Sequence, residues 1–179
     1  MDNKLYVKKL YDDAKLPTKA NPTDSGFDVY VYSFKKLYTH SGSDSERIFD
    51  KPEQIENRIE NTSENRKGLK LQYLERVLID TGLVVTVGKG YEIQLRPRSG
   101  NALNKGLSIV NTPGTIDESY RGTLGVIIVN LSRASQFIQV GDKIAQIVPC
   151  PILLPELVVV DELPTTDRGA AGFGSTGSR

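Results

Sequence analysis

The segment from Val110 to Gly122 contains most of the residues that could do chemistry in this chain. Asp117 is a candidate base, because a carboxylate that lies between an isoleucine and a nearby tyrosine can orient a water for attack. Pro113-Gly114 fits a type II turn, which would fold Asn111 back beside the strand that carries Asp117. A buried amide there would offer a donor and an acceptor to a pyrimidine edge. In the alternative interpretation, Asn111 and Asp117 only satisfy backbone groups of the turn.

Two other segments could bind an anion. Arg98-Ser99-Gly100 follows a predicted strand, and its donors beside a small residue suit a phosphate, although arginines are common at strand ends. In the Gly-rich C-terminal tail, backbone N–H groups could converge on an anion while Ser175-Thr176 and Arg168 add donors and charge. Phe173 offers a flat face for stacking on a base. The alternative is a disordered tail; a dinucleotide fold is excluded because no helix can follow the glycines.

Carboxylates and an amide also lie near two further turns. Asp24 and Asp28 flank a glycine close to the N-terminus, and the residue types leave metal-adjacent and turn-capping roles open for both. Gln146 is a lone polar residue in an otherwise apolar run that follows the turn Gly141-Asp142.

Composition limits the classes of function. The chain has 179 residues, and its 23 Lys and Arg nearly balance its 22 Asp and Glu, so no global field favours a nucleic-acid polymer. The single Cys150 cannot form an intrachain disulfide, and the single His40 leaves little room for Ser-His-Asp or Cys-His catalysis. We find no secretory signal and no apolar run long enough to span a bilayer. These features predict a soluble, cytoplasmic protein, or a nuclear one in a eukaryote.

Short β-branched runs separated by Gly and Pro turns predict the fold class. They indicate an all-β sandwich, jelly roll or barrel. The run from Val126 to Val129 is apolar throughout, so we expect it to be covered on both faces. The predicted strands are Val84–Val87, Tyr91–Leu95, Val126–Val129 and Leu157–Val160.

The stretch 41–68 departs from this pattern. Only four of its residues are apolar, so it cannot offset its own ordering entropy. We interpret it as an inserted, flexible loop with one short helix that begins near Asp50 and docks on the core through Ile55 and Ile59. A loop without function and a partner-binding device both remain open.

Five segments in one order resemble the five motifs of trimeric dUTPases, and their spacing fits except for the insertion. They are Asp24–Asp28, Pro97–Gly100, Gly114–Gly122, Gly141–Gln146 and Arg168–Gly177. The resemblance implies a jelly-roll-like dUTPase fold assembled as a homotrimer. It also implies a β domain over residues 1–163 and a flexible C-terminal arm over 164–179 that closes over the active site.

The activity implied by the resemblance is Mg²⁺-dependent hydrolysis of dUTP to dUMP and pyrophosphate. Asp117 matches the base that orients a water toward the α-phosphorus. Tyr120 matches the aromatic that packs on the sugar and excludes a 2′-hydroxyl. Asn111 matches the amide that recognises uracil, together with backbone groups of the hairpin such as those of Gly114.

The remaining motifs imply contacts to phosphate and metal. Asp28 matches a carboxylate that lies near the metal through water, with Mg²⁺ held mainly by the triphosphate. In this family three subunits share each site, so a monomer should be inactive. The residues matched to phosphate binding are Arg98, Ser99, Gly100 and Gln146, and those matched to the closing arm are Arg168, Phe173, Gly174, Ser175 and Thr176.

Two other functions compete with this interpretation. The related dCTP deaminases need a catalytic Glu that would fall at Ile127, where no carboxylate is available. A regulatory or protein-binding role of the 41–68 insertion could coexist with catalysis.

Overall fold

The computed structural model describes residues 4–41 and 45–171, which form an all-β domain with two short helices. This confirms the predicted fold class. Neither helix is long or apolar enough, over the residues described, to cross a membrane. The elements are β1 (Leu5–Lys9), β2 (Phe27–Tyr30), β3 (Ser33–Ser41), β4 (Ser45–Phe49), α1 (Pro52–Glu56), β5 (Ile59–Asn61), β6 (Lys67–Leu71), β7 (Arg76–Asp80), β8 (Leu83–Val87), β9 (Tyr91–Arg96), α2 (Ser99–Lys105), β10 (Leu107–Ile109), β11 (Gly114–Ile116), β12 (Gly125–Asn130), β13 (Gln136–Gln139) and β14 (Lys143–Pro151).

The strands pair antiparallel in four sheets around one core. The largest sheet has the order β10-β12-β7-β3-β4, the second β11-β9-β14-β2, the third β13-β6-β5, and β1 pairs with β8. Val77, Ile93, Leu69 and Leu83 are fully buried and come from different sheets, so all four sheets contribute to the same hydrophobic cluster. The antiparallel order fixes which turns meet at each edge, and the candidate chemistry lies on those turns.

Three of the four predicted strands are confirmed as β8, β9 and β12. The prediction that β12 is covered on both faces is wrong, because burial alternates along it and Ile127 and Val129 stay partly exposed. The predicted strand Leu157–Val160 is also wrong. That segment has no regular secondary structure and no pairing strand among the described residues, and its side chains are exposed.

The described residues of the 41–68 stretch form more regular structure than a loop. The expected short helix is present as α1, and Ile55 is only 1% exposed within the core. Much of the remainder forms β4 and β5, which pair with β3 and β6, so the predicted loop is wrong over those residues. Arg58 also binds the buried Glu75 at 3.1 Å between Nη2 and Oε2. These contacts join the stretch to the main core.

Candidate active site

A cavity of ≈ 510 Å³ brings together three of the predicted site residues, Asn111, Asp117 and Tyr120. Asp117 directly follows β11, and the Tyr120 N–H donates to the Asp117 carbonyl at 3.0 Å, which closes the turn between them. The Tyr120 hydroxyl donates to the Thr123 carbonyl at 3.1 Å. A Cβ at Gly122 would lie 2.3 Å from that hydroxyl, so only glycine fits beside the ring.

The turn before β11 differs from the prediction in two respects. The Thr112-Pro113 peptide is cis and Gly114 starts β11 without a positive φ, so the expected type II turn is wrong. Asn111 is exposed rather than buried. Its side chain nevertheless folds back on Gly114, because a Cβ at Gly114 would lie 3.2 Å from the Asn111 Nδ2 atom. The Asn111 amide therefore passes over Gly114, which has no side chain in the way, and reaches the cavity.

Lys35 and Asp80 line the same cavity and were not predicted from the sequence. Their Nζ and Oδ2 atoms are 3.2 Å apart, and Asp80 is buried. Lys35 lies at an irregularity in the pairing of β3 with β7, where a bulge re-aims the side chain. Neither residue belongs to a local pattern, so only the strand pairing reveals them.

A second cavity of ≈ 400 Å³ contains the other predicted groups of the domain, Asp28, Arg98-Ser99-Gly100 and Gln146. Arg98 donates from Nε to Asp28 Oδ1 at 2.8 Å, and Lys143 Nζ lies 2.8 Å from Asp28 Oδ2. The hydrogen bond and the charge of Asp28 raise the pKa of Lys143 above its ordinary value. Two cationic side chains thus bind the two oxygens of one carboxylate beside this cavity.

Gln146 and Gly26 form a tightly packed wall of this cavity. Gln146 donates from Nε2 to the Pro97 carbonyl at 2.9 Å, and a Cβ at Gly26 would lie 2.3 Å from its Oε1 atom. By contrast, no atom lies within 4 Å of the Cβ position at Gly100. Packing within the chain therefore explains Gly26, whereas Gly100 borders open space in which an anion could approach the backbone.

The two N-terminal carboxylates have different roles. Asp24 accepts from the Asn21 N–H at 2.9 Å, which is the turn-capping role. Asp28 instead uses one oxygen for Arg98 and the other for Lys143. Among the described residues no group of three or more His, Cys, Asp or Glu could hold a metal. The described residues therefore offer no set of side-chain ligands that would hold a metal without a ligand of its own.

Asp117 and Arg98 lie beside opposite ends of β9. Ile116 pairs with Ile93, so Asp117 falls beside the start of β9, whereas Arg98 follows its end in extended conformation. At ~3.3 Å per residue, Asp117 and Arg98 of one chain are about 20 Å apart. Asp117 and Arg98 of one chain therefore line different cavities.

The described part of the C-terminal segment, residues 153–171, lines neither cavity. Arg168 is exposed and donates from Nε to the Ala171 carbonyl at 2.8 Å, within its own turn. The preceding residues 153–163 carry several exposed leucines and valines, among them Leu157 at 86% and Val159 at 88%. The predicted arm residues Phe173, Gly174, Ser175 and Thr176 lie outside the described residues.

Comparison with known proteins identifies relatives over nearly the whole chain. Residues 64–177 match the sequence profile of the dUTPase family. A deoxyuridine 5′-triphosphate nucleotidohydrolase of Hydrogenobaculum sp. is 39% identical over 176 residues, which cover 98% of this chain and 99% of that protein. The corresponding protein of Desulfotalea psychrophila is 54% identical over 101 residues, which cover 56% of this chain and 67% of that one.

Solved structures show the same similarity. A mutant dUTPase of Staphylococcus bacteriophage 80alpha in complex with dUpNHpp has a TM-score of 0.69 at 25% identity, over 98% of this chain and 99% of that one. A mutant dUTPase of phage phi11 of S. aureus, described with a structural Mg(II) ion, has a TM-score of 0.66 at 25% identity, over 91% of this chain and 100% of that one. Together with the sequence matches, these findings confirm the family resemblance.

Proposed function

Since the chain belongs to the dUTPase family, we propose that it hydrolyses dUTP to dUMP and pyrophosphate. The observation that carries this proposal is the shared cavity of Asn111, Asp117 and Tyr120. The curated relatives act on deoxyuridine triphosphate by name, and their similarity extends over the segment that lines this cavity.

In the proposed reaction, the first cavity holds the nucleoside. Asp117 orients a water for in-line attack on the α-phosphorus and takes up its proton, which suits an exposed carboxylate at a cavity wall. The Tyr120 ring packs on the deoxyribose and leaves no space for a 2′-hydroxyl. Asn111 presents its amide to the pyrimidine edge, since an amide can both donate and accept.

The second cavity holds the phosphates. Arg98 is bound to Asp28 through Nε, so its two terminal nitrogens form a fork that can donate to phosphate oxygens. Ser99 adds a hydroxyl, Gly100 an approachable backbone and Gln146 an amide. Phosphoryl chemistry depends mostly on positioning and on neutralising charge, so these contacts are the main contribution of the second cavity to the reaction.

We infer that the two halves of each site come from different subunits of a homotrimer. The separation of about 20 Å between Asp117 and Arg98 within one chain supports this, because a single α-phosphorus must meet both. The partly exposed Val129 and the exposed segment 153–163 supply apolar surfaces that an assembly would cover. The arm at 164–179, with Arg168, then closes over the triphosphate of a neighbouring site.

A divalent cation, Mg²⁺, accompanies the triphosphate in this proposal. Asp28 would contact it through water, because Arg98 and Lys143 already occupy the two carboxylate oxygens. When bound, such an ion neutralises phosphate charge and aligns the phosphate chain.

The decisive experiment compares pyrophosphate release from dUTP, dTTP, dCTP and UTP, with Mg²⁺ and after its removal by a chelator. We expect rapid release from dUTP alone, and a large loss without Mg²⁺. The control variant Asp117→Asn should bind dUTP but hydrolyse it slower by about 10²–10⁴-fold, since an amide cannot act as base. Equal rates for dUTP and UTP, or an active Asp117→Asn variant, would refute the assignment.

The structure bears on the two alternative functions as well. Ile127 lines the nucleoside cavity, where the deaminase mechanism would need a carboxylate, so ammonia release from dCTP is not expected. In the 41–68 stretch, Ile55 is buried in the core and Arg58 forms an ion pair with the buried Glu75. That supports a structural role for this stretch in preference to a partner-binding device.

A further inference from the structure

Thr86 lies outside the five motifs but at the centre of a hydrogen-bond cluster with one of them, the segment Gly114–Gly122. Its Oγ1 donates to the Glu118 carbonyl at 3.0 Å and accepts from Arg121 Nη1 at 3.2 Å. The same Arg121 nitrogen donates to the carbonyl oxygens of Glu118 and, at 2.8 Å, of Tyr120. The side chain of a strand residue thus binds the turn that begins at Asp117.

The turn itself is exposed, so burial does not hold it in place. Asp117, Tyr120 and Arg121 are all exposed. Within the turn, the Tyr120 N–H closes on the Asp117 carbonyl at 3.0 Å. Hydrogen bonds therefore fix the directions in which the Asp117 carboxylate and the Tyr120 ring leave the backbone.

Strand pairing and the hydrophobic core fix the backbone position of Thr86, which binds this turn. It belongs to β8, where its neighbours Val85 and Val87 are buried, and it pairs with Tyr6 of β1. The side chain of Thr86 projects from the opposite face of β8, toward the turn. Its hydroxyl links the turn to an element whose own position is set by the core.

We propose that Thr86 is a positioning residue for the reaction: it holds the turn from Asp117 to Tyr120 so that base and sugar contact keep their relative placement. The inference rests on the proposed function of Asp117 and Tyr120. A misplacement of a catalytic group by about 1 Å can lower the rate by about 10²-fold. Loss of the Thr86 hydroxyl should therefore affect both turnover and the rejection of ribonucleotides.

The test compares Thr86→Val, which keeps the shape and removes the hydroxyl, with Thr86→Ser, which keeps the hydroxyl. Thr62→Val is a matched control, because the Thr62 hydroxyl accepts from the Arg66 N–H at 3.1 Å in a different part of the chain. We expect Thr86→Val to lower kcat for dUTP about tenfold or more and to reduce the preference for dUTP over UTP. Thr86→Ser should stay within about threefold of the parent protein, and Thr62→Val should match it.

Amide hydrogen exchange provides a readout that does not depend on the substrate. Exchange at the Tyr120 amide should be faster in Thr86→Val than in the parent protein and in Thr86→Ser. The proposal would be overturned if Thr86→Val had the kinetics of the parent protein. It would also be overturned if turnover of dUTP and of UTP fell equally and in proportion to a loss of folded protein. Unchanged exchange at Tyr120 would overturn it as well. Failure of the parent protein to hydrolyse dUTP would instead refute the proposed function, and the exchange comparison would still decide whether Thr86 holds the turn.

Discussion

Mixing two inactive variants tests whether each site is divided between chains. Asp117→Asn removes the base from the nucleoside cavity, and Arg98→Ala removes the guanidinium from the phosphate cavity. Each homo-oligomer should lose activity by about 10²–10⁴-fold. The two variants are unfolded together in equal amounts and refolded, and mass spectrometry of the intact assemblies verifies that mixed species form.

The expected recovery follows from the separation of about 20 Å between Asp117 and Arg98 in one chain. Suppose that a site takes Asp117 from one subunit and Arg98 from its neighbour. The subunit that supplies Asp117 must then be an Arg98→Ala chain, and the neighbour that supplies Arg98 must be an Asp117→Asn chain. Each condition holds by chance in half of the cases, so about one quarter of the sites in the mixture become complete. Pyrophosphate release from dUTP should therefore return to about a quarter of the parent rate.

A second mixture serves as the matched control. Arg98 and Gln146 line the same cavity of one chain, so mixing Arg98→Ala with Gln146→Ala places an intact pair in no site. Its activity should stay at the average of the two variants. Absence of recovery in the first mixture, once mixed assemblies are verified, would refute the divided site. Recovery of activity in the second mixture would show that Arg98 and Gln146 of one chain do not serve the same site.

Three further changes have defined outcomes. Gly26→Ala places a Cβ 2.3 Å from the Gln146 Oε1 atom, so we expect the amide to swing out of the phosphate cavity and kcat to fall about tenfold with little change in melting temperature; an unchanged kcat would contradict this. Arg58→Met removes the cation from the buried Glu75 carboxylate and leaves it only the Gln72 N–H as a donor. This should lower the free energy of unfolding by about 3 kcal/mol in urea titrations, and a loss below half of that would contradict it. Removal of residues 164–179 should reduce turnover by about 10²-fold or more while the melting temperature stays constant, because residues 164–171 are exposed; a large drop in melting temperature would show that the arm supports the fold.

Local patterns singled out the candidate groups because each lies in a short run of distinctive residue types, and the roles of these groups stay predictions. Arg98 and Ser99 follow β9, and Asp117 follows β11. Alternating or continuous apolar runs likewise located β8, β9 and β12. Which turns share a cavity depends on the register of β9 with β11, and no local pattern specifies that register.

The missed features all depend on partners distant in the sequence. Thr86 and Lys35 become part of the candidate site only through strand pairing, and neither has a distinctive local context. β4 has few apolar residues, yet it forms because β3 offers a strand edge for its backbone. The opposite case is Leu157–Val160, whose pattern is typical of a strand but which has no adjacent strand within the described part of its own chain.

The exposed leucines and valines of residues 153–163 also affect how the protein must be handled. An isolated chain that presents such a surface is prone to aggregation, because any other apolar surface can cover it. Assembly is concentration-dependent, whereas the apolar surface of each lone chain is constant. Strong dilution should therefore cost the protein its activity, because it separates the subunits. Chains that are made faster than they assemble should aggregate through the exposed segment.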